Sequence, residues 1–189
     1  MGADDRERWD RIWREAGHGD GERPDWLDAF GDALPSRGRA LDVASGSGRV
    51  ALYFAARGLA TLAVDVSVEG LRRASDAAAR AGLALETRAL DLESQPLPEG
   101  PFAAIGVFHY LQRDLFPELA ERLAPGGVLA CEIATVRNLE RHAKPSKRFL
   151  LESNELLRLC GPLEIVDYRE GWFGDSHLAR ILARRPSPT

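Results

Sequence analysis

Cysteine is scarce in this 189-residue chain: there are two, Cys131 and Cys160. Both sit in apolar runs, which points to buried free thiols in a reducing compartment rather than to a disulfide. Neither belongs to a Cys/His cluster with metal-ligand spacing, so no metal site is expected. Positive charge is not in excess: 25 Lys and Arg against 29 Asp and Glu leave a net charge of −4. That gives a nucleic-acid-binding role no support. No apolar run reaches membrane-spanning length, and the charged opening "MGADDRERWD" has no apolar stretch behind it. Neither a secretory leader nor a membrane anchor is expected, and a cytoplasmic location is. Repeats and low-complexity tracts are also missing. With 44% hydrophobic and 29% charged residues, the chain reads as one globular domain with a core of ordinary size.

What the sequence does contain is alternation. Residues 4–16 read as a helix with Trp9 and Trp13 one turn apart, broken by "GHGDGERP", and 25–34 as a second short helix. Strand patterns at 39–44, 60–66, 84–90, 102–108 and 127–135 then alternate with helical ones at 47–57, 68–81 and 114–123. A basic loop at 136–149 leads to a helix at 153–160, with Ser153 as its N-cap. "LEIVDYRE" and "HLARILAR" bracket a Gly/Asp turn and read as an antiparallel pair. Strands alternating with helices define an α/β class: a doubly wound parallel sheet with helices on both faces, antiparallel at one edge. Ligands of such sheets sit at the carboxyl ends of the strands, near the switch in strand order.

The stretch to explain is "LDVASGSGRVALYFAARG", residues 41–58. An apolar run carries Asp42 near its end, and Ala44, Ser45, Gly46, Ser47 and Gly48 follow. Glycine admits backbone angles and close approaches that a Cβ blocks, so this turn makes room for a ligand. "GSGRVA" satisfies G-x-G-x-x-A, the dinucleotide pattern in which a helix N-terminus receives a pyrophosphate. Asp65, closing the next strand, suits the ribose hydroxyls of either a dinucleotide or an adenosyl ligand. A nucleotide-binding oxidoreductase therefore stays open, but the chain is too short for a separate substrate domain. Asp42 is unhelpful beside a pyrophosphate and complements a ligand that carries an ammonium group.

The ordered set "LDVASGSGR", "AVDVS", "ALDLE" and "LAPGGVL" resembles the class I S-adenosylmethionine-dependent methyltransferases over residues 39–135. "WDRIWREAG" and "KPSKRFLLESNELL" resemble the small bacterial members akin to the tellurite-resistance and thiopurine methyltransferase group. The resemblance implies one domain over 1–189: a helical cap at 1–35, a cofactor core at 36–135, and a lid loop, helix and edge hairpin at 136–189. It implies a Rossmann-like seven-stranded sheet with an antiparallel last strand. The cofactor would be S-adenosylmethionine. Ala44, Ser45, Gly46 and Gly48 would lie against its methionyl and ribose parts, with Asp42 complementing its ammonium. Asp65 and Val66 would meet the ribose, Asp91 and Leu92 the adenine edge, and Phe108 and His109 would stand behind the methyl group. One departure is Ala44, which replaces the first glycine of the family's G-x-G-x-G turn. Alanine costs little there if the position keeps a negative φ.

The acceptor side is less defined. In "FHYLQRDLFP", His109 is a candidate base and Tyr110 a wall or hydrogen-bonding group. Arg113 would orient an anion or else pair with Asp114 or Glu118. The segment lacks the N/D-P-P-Y/F tetrad of amino methylation of DNA bases. The basic loop, with Arg141, His142 and Lys147, reads either as a lid that draws an anionic acceptor or as a solvated loop. By the resemblance of the N-terminal segment, Trp9, Trp13 and Trp26 would help close the pocket. The reading is methyl transfer to a small-molecule acceptor: a thiol, a metalloid oxyanion or a small anionic metabolite. A methyltransferase fold serving only as a binding module is the non-catalytic alternative, and the oligomeric state is left open.

Overall fold

In the computed structural model, residues 3–15 and 23–188 are described; of the break expected at 17–24, residues 17–22 lie outside them. Seven strands form one sheet: β1 Arg39–Val43, β2 Ala60–Asp65, β3 Glu86–Ala89, β4 Phe102–Phe108, β5 Leu123–Ala134, β6 Glu164–Phe173 and β7 Ser176–Arg184. Their spatial order is β3-β2-β1-β4-β5-β7-β6. Strands β1 to β5 pair in parallel, and β7 runs antiparallel between β5 and β6. The helices are α1 Ala3–Glu15, α2 Arg49–Ala56, α3 Val68–Arg80, α4 Phe116–Arg122 and α5 Glu155–Leu159, with a 3-10 helix over Asp25–Ala33. The expected architecture, antiparallel last strand included, is the one observed. Among the described residues no helix is long and apolar enough to cross a membrane.

Period-two alternation divides the core between the two faces of the sheet. Ala40, Ala104, Phe108, Val128 and Leu182 meet Val50, Tyr53 and Phe54 of α2 and Leu27 of the 3-10 helix. Leu41, Val43, Ile105, Val107, Leu129 and Ile181 meet Leu119 of α4 and Leu156 of α5 on the other face. Fully buried side chains such as Phe54 and Leu119 each contribute about 1.5–3 kcal/mol.

Three local readings change. The "APGG" stretch does not close a helix: α4 ends at Arg122, and β5 starts at Leu123 with a register shift against β4. The first residue of the late helix is preceded by Asn154 at φ +58, not by a capping Ser153. Ser153 instead donates its hydroxyl to Glu170 on β6 at 2.9 Å. Within 136–149, two short 3-10 turns, Val136–Glu140 and Lys147–Phe149, order part of the loop.

The strand order reverses between β1 and β4, so a crevice opens at their carboxyl ends. Helix α1 is pinned beside it. The Asp10 carboxylate accepts from the Ser67 hydroxyl at 2.6 Å and from the Glu69 N–H at 3.0 Å, at the first turn of α3. An anion at a helix N-terminus is favourable, and these bonds outweigh the cost of burial and lower the Asp10 pKa.

Candidate active site

The turn after β1 is built around backbone N–H groups. The Asp65 carboxylate, at the end of the neighbouring β2, accepts from the Gly46 N–H and from the Ser67 N–H, each at 2.8 Å. Burial raises the Asp65 pKa, and these two N–H groups pull it back part of the way. Gly46 and Gly48 have φ +52 and +81. A Cβ on Gly46 would stand 2.4 Å from the Trp13 ring, and one on Gly70 would stand 3.1 Å from Trp13 Nε1. The two glycines thus form the slot that receives the indole, and α1 covers the turn from outside. The Ser45 hydroxyl oxygen is buried there with no hydrogen-bond partner among the described residues. A backbone cradle and an orphaned buried hydroxyl at the strand-order switch fit an adenosyl ligand.

Two sequence expectations are corrected. Ala44 does not keep a negative φ: it sits at +54. A left-handed alanine costs about 1–2 kcal/mol. Ala44→Gly is therefore expected to raise stability by about 1 kcal/mol in denaturant melts. Unchanged or lower stability would contradict this backbone path. Asp42, in turn, does not face outward. Its Oδ2 accepts from the Ala51 N–H at 2.8 Å in the first turn of α2, and its Oδ1 lies 3.6 Å from where a Gly106 side chain would begin. It is 2% exposed, and burial pushes its pKa up to about 7. Asp42 supports the turn from behind, through the helix that follows.

Beyond β3, Asp91 is half-buried and its Oδ1 accepts from the Glu93 N–H at 3.1 Å; Leu92 is buried and Val66 half-buried. The Tyr110 hydroxyl donates to Gln112 at 2.6 Å, and Gln112 donates to the Leu92 carbonyl at 3.2 Å. Burial and the charges of Glu93, Asp91 and Asp65 keep the phenol protonated. Tyr110 therefore shares the acidic side of the crevice with Asp65 and Asp91 and is no proton acceptor.

A second group lies in one row across three strands. Phe108 pairs with Glu132 on β5, and Glu132 with Arg180 on β7. The Arg180 Nε donates to Glu132 Oε2 at 2.8 Å. His109, next to Phe108 and held at φ +56, places Nε2 3.2 Å from Glu132 Oε1. Burial alone would raise the Glu132 carboxyl. The His109 hydrogen bond and the charges of His109, Arg180 and Arg49 outweigh it and hold the pKa below the usual carboxylate range. Ala44 and His109 are two of the three non-glycine residues at positive φ among those described, and both lie at this crevice. Together with Arg23, Pro24, Asp25, Trp26 and Arg49, the row lines a cavity of about 190 Å³.

The other acceptor-side candidates are engaged elsewhere. Arg113 pairs with neither Asp114 nor Glu118. It makes a two-pronged bond to Glu155 of α5, at 2.6 and 2.9 Å. Arg141 lies 3.7 Å over the Trp172 ring, and His142 Nε2 is 2.8 Å from the Asp175 carbonyl, so both tie the loop to the β6–β7 turn. Lys147 meets Glu152 at 3.1 Å. Sequence reading missed Arg49, Glu132 and Arg180. The available signal was a lone charge inside each of two apolar strands, "ACEIA" and "LARIL", which calls for a cross-strand partner.

Residues 40–127 match the family model described as a methyltransferase domain. The uncharacterized protein Rv1403c of Mycobacterium tuberculosis is 45% identical over 67 residues, which is 35% of this chain and 24% of that protein. The chain thus spans about a quarter of the length of that curated relative. TehB from Haemophilus influenzae aligns with a TM-score of 0.71 at 19% identity, over 94% of this chain and 67% of that one. The magnesium protoporphyrin IX methyltransferase ChlM from Synechocystis, solved with bound S-adenosylhomocysteine, aligns with a TM-score of 0.67 at 14% identity, over 96% and 83%. The fold is that of the class I S-adenosylmethionine-dependent methyltransferases. Within it, residues 40–127 are the part that matches the methyltransferase-domain model, and the chain resembles TehB over most of its length.

Proposed function

We propose that the protein transfers a methyl group from S-adenosylmethionine to a small-molecule acceptor. The observation that carries this reading is the Gly46 turn, bonded to Asp65 on the adjacent strand and capped by Trp13, at the strand-order switch. Ala44, Ser45, Gly46 and Gly48 would hold the methionyl and ribose parts, and Asp65 with Val66 the ribose. Asp91 and Leu92 would border the adenine, and Trp13 would exclude water from above. When bound, S-adenosylmethionine supplies an electrophilic methyl on a sulfonium, which does most of the activating chemistry. The chain's own task is to align the acceptor and remove its proton.

His109 suits that task. Glu132 is ionised and can only accept, so His109 Nε2 carries the hydrogen between them. That tautomer leaves the Nδ1 lone pair to take a proton from an acceptor hydroxyl, thiol or amine. Glu132 then offsets the imidazolium charge.

Titration calorimetry of the full chain tests the donor. S-adenosylhomocysteine should bind in the micromolar range while NAD gives no heat. Binding of NAD alone would overturn the reading. Saturable adenosyl binding with no S-adenosylhomocysteine release across thiols, metalloid oxyanions and small carboxylates would make the protein a binding module.

A further inference from the structure

We propose that the cavity between Trp26 and β7 anchors the acceptor, and that it takes a small monocarboxylate gripped by the Arg180 guanidinium. This names the acceptor class of the proposed methyl transfer and rests on that reading. Arg180 is a prepared fork. Its Nε is bound to Glu132 at 2.8 Å, the Phe173 ring lies 3.9 Å from its Cζ, and the Trp26 ring lies 5.8 Å away on the cavity wall. Its side chain is 21% exposed. Among the described residues, Nη1 and Nη2 donate no hydrogen bond. A guanidinium held at Nε and by aromatic faces, with both terminal nitrogens open, matches a carboxylate in two-pronged fashion without further ordering cost.

The surroundings narrow the choice. Trp26 stacks on Phe108 with centroids 6.1 Å apart, and the buried Trp26 Nε1–H has no acceptor among the described residues. The wall is therefore flat and apolar with an unclaimed donor, suited to a planar acid. The volume of about 190 Å³ lies below the roughly 300–1,000 Å³ of drug-sized ligand sites, so the acceptor is compact. Glu132 is already buried beside the fork, and a dianion would set a further negative charge against it. One negative charge suits the site. Arg49 follows Gly48 directly and also lines the cavity, so the cavity abuts the donor turn. His109 lies 3.2 Å from Glu132, which lines the cavity.

Benzoate and its uncharged counterpart benzamide are the probes, titrated into protein saturated with S-adenosylhomocysteine and followed by ligand-observed NMR. Benzoate should bind at least tenfold tighter than benzamide. Arg180→Lys should weaken benzoate at least tenfold and leave S-adenosylhomocysteine affinity within twofold. The double variant E132Q/R180M, which removes the buried pair together, should fold by circular dichroism and also lose benzoate. Equal binding of the two probes, no benzoate binding, or full benzoate affinity in Arg180→Lys would overturn the proposal. A parallel loss of S-adenosylhomocysteine affinity in Arg180→Lys would assign the fork to the donor's own methionyl carboxylate, and would overturn it too. Failure of the unaltered protein to bind S-adenosylhomocysteine would remove the donor reading and this one with it.

Discussion

Replacing Asp65 by alanine should raise the dissociation constant for S-adenosylhomocysteine about 100-fold. The carboxylate holds the Gly46 and Ser67 N–H groups, each at 2.8 Å, and so sets the path of the turn against which the donor would lie. Removing a charged acceptor costs about 1.5–3 kcal/mol per hydrogen bond, and a loss near 3 kcal/mol is about two decades of affinity. Asp65→Asn keeps one acceptor oxygen and should lose about tenfold. Unliganded stability should change less, because the alanine variant also removes a carboxylate whose burial is unfavourable. Calorimetry with S-adenosylhomocysteine, paired with thermal melts of the free protein, separates the two effects. Affinity within threefold of the unaltered protein would contradict this placement.

Asp42→Asn should stabilise the protein at pH 8 but barely at pH 4. The Asp42 pKa is pushed by burial from 3.8 to about 7, partly offset by the Ala51 N–H and the charge of Arg49. Its sign is that of a raised carboxyl. Below about pH 4 folded and unfolded states both hold the proton, and no penalty arises. Between about pH 4 and 7 only the folded state holds it, so stability falls as pH rises, by about 1.4 kcal/mol per unit. Above about 7 both are ionised and the loss is complete, on the order of 4 kcal/mol in total. Asparagine keeps an oxygen for the Ala51 N–H and has no charge to bury. Its advantage should grow by about 3 kcal/mol from pH 5 to pH 8, roughly 6–12 °C in Tm for a chain of this size. Glu132, with its lowered pKa, acts oppositely and at lower pH, so it leaves this window clear. A flat difference between the variants over pH 5–8 would show that Asp42 is ionised throughout.

By itself the sequence determined the strand–helix alternation, the edge hairpin, the glycine turn and the acid that closes β2. These follow from side-chain period, turn chemistry and spacing, forces that act within a few residues of one another. The same windows carry no record of backbone sign at Ala44, because a left-handed alanine is held by the surrounding fold and not by its own preference. Nor do they say which way Asp42 turns, since only the packing of α2 against β4 brings the Ala51 N–H to it. The widest gap is the row Phe108, Glu132 and Arg180. Glu132 and Arg180 are 48 residues apart, and a register slip of one residue would send either side chain to the opposite face. Arg113 belongs to the same case: its partner Glu155 comes from a helix 42 residues on, while the nearer Glu118 accepts from Arg122. Local chemistry wrote the glycine turn into consecutive residues; the cavity beside Arg180 exists only where distant strands are brought into register.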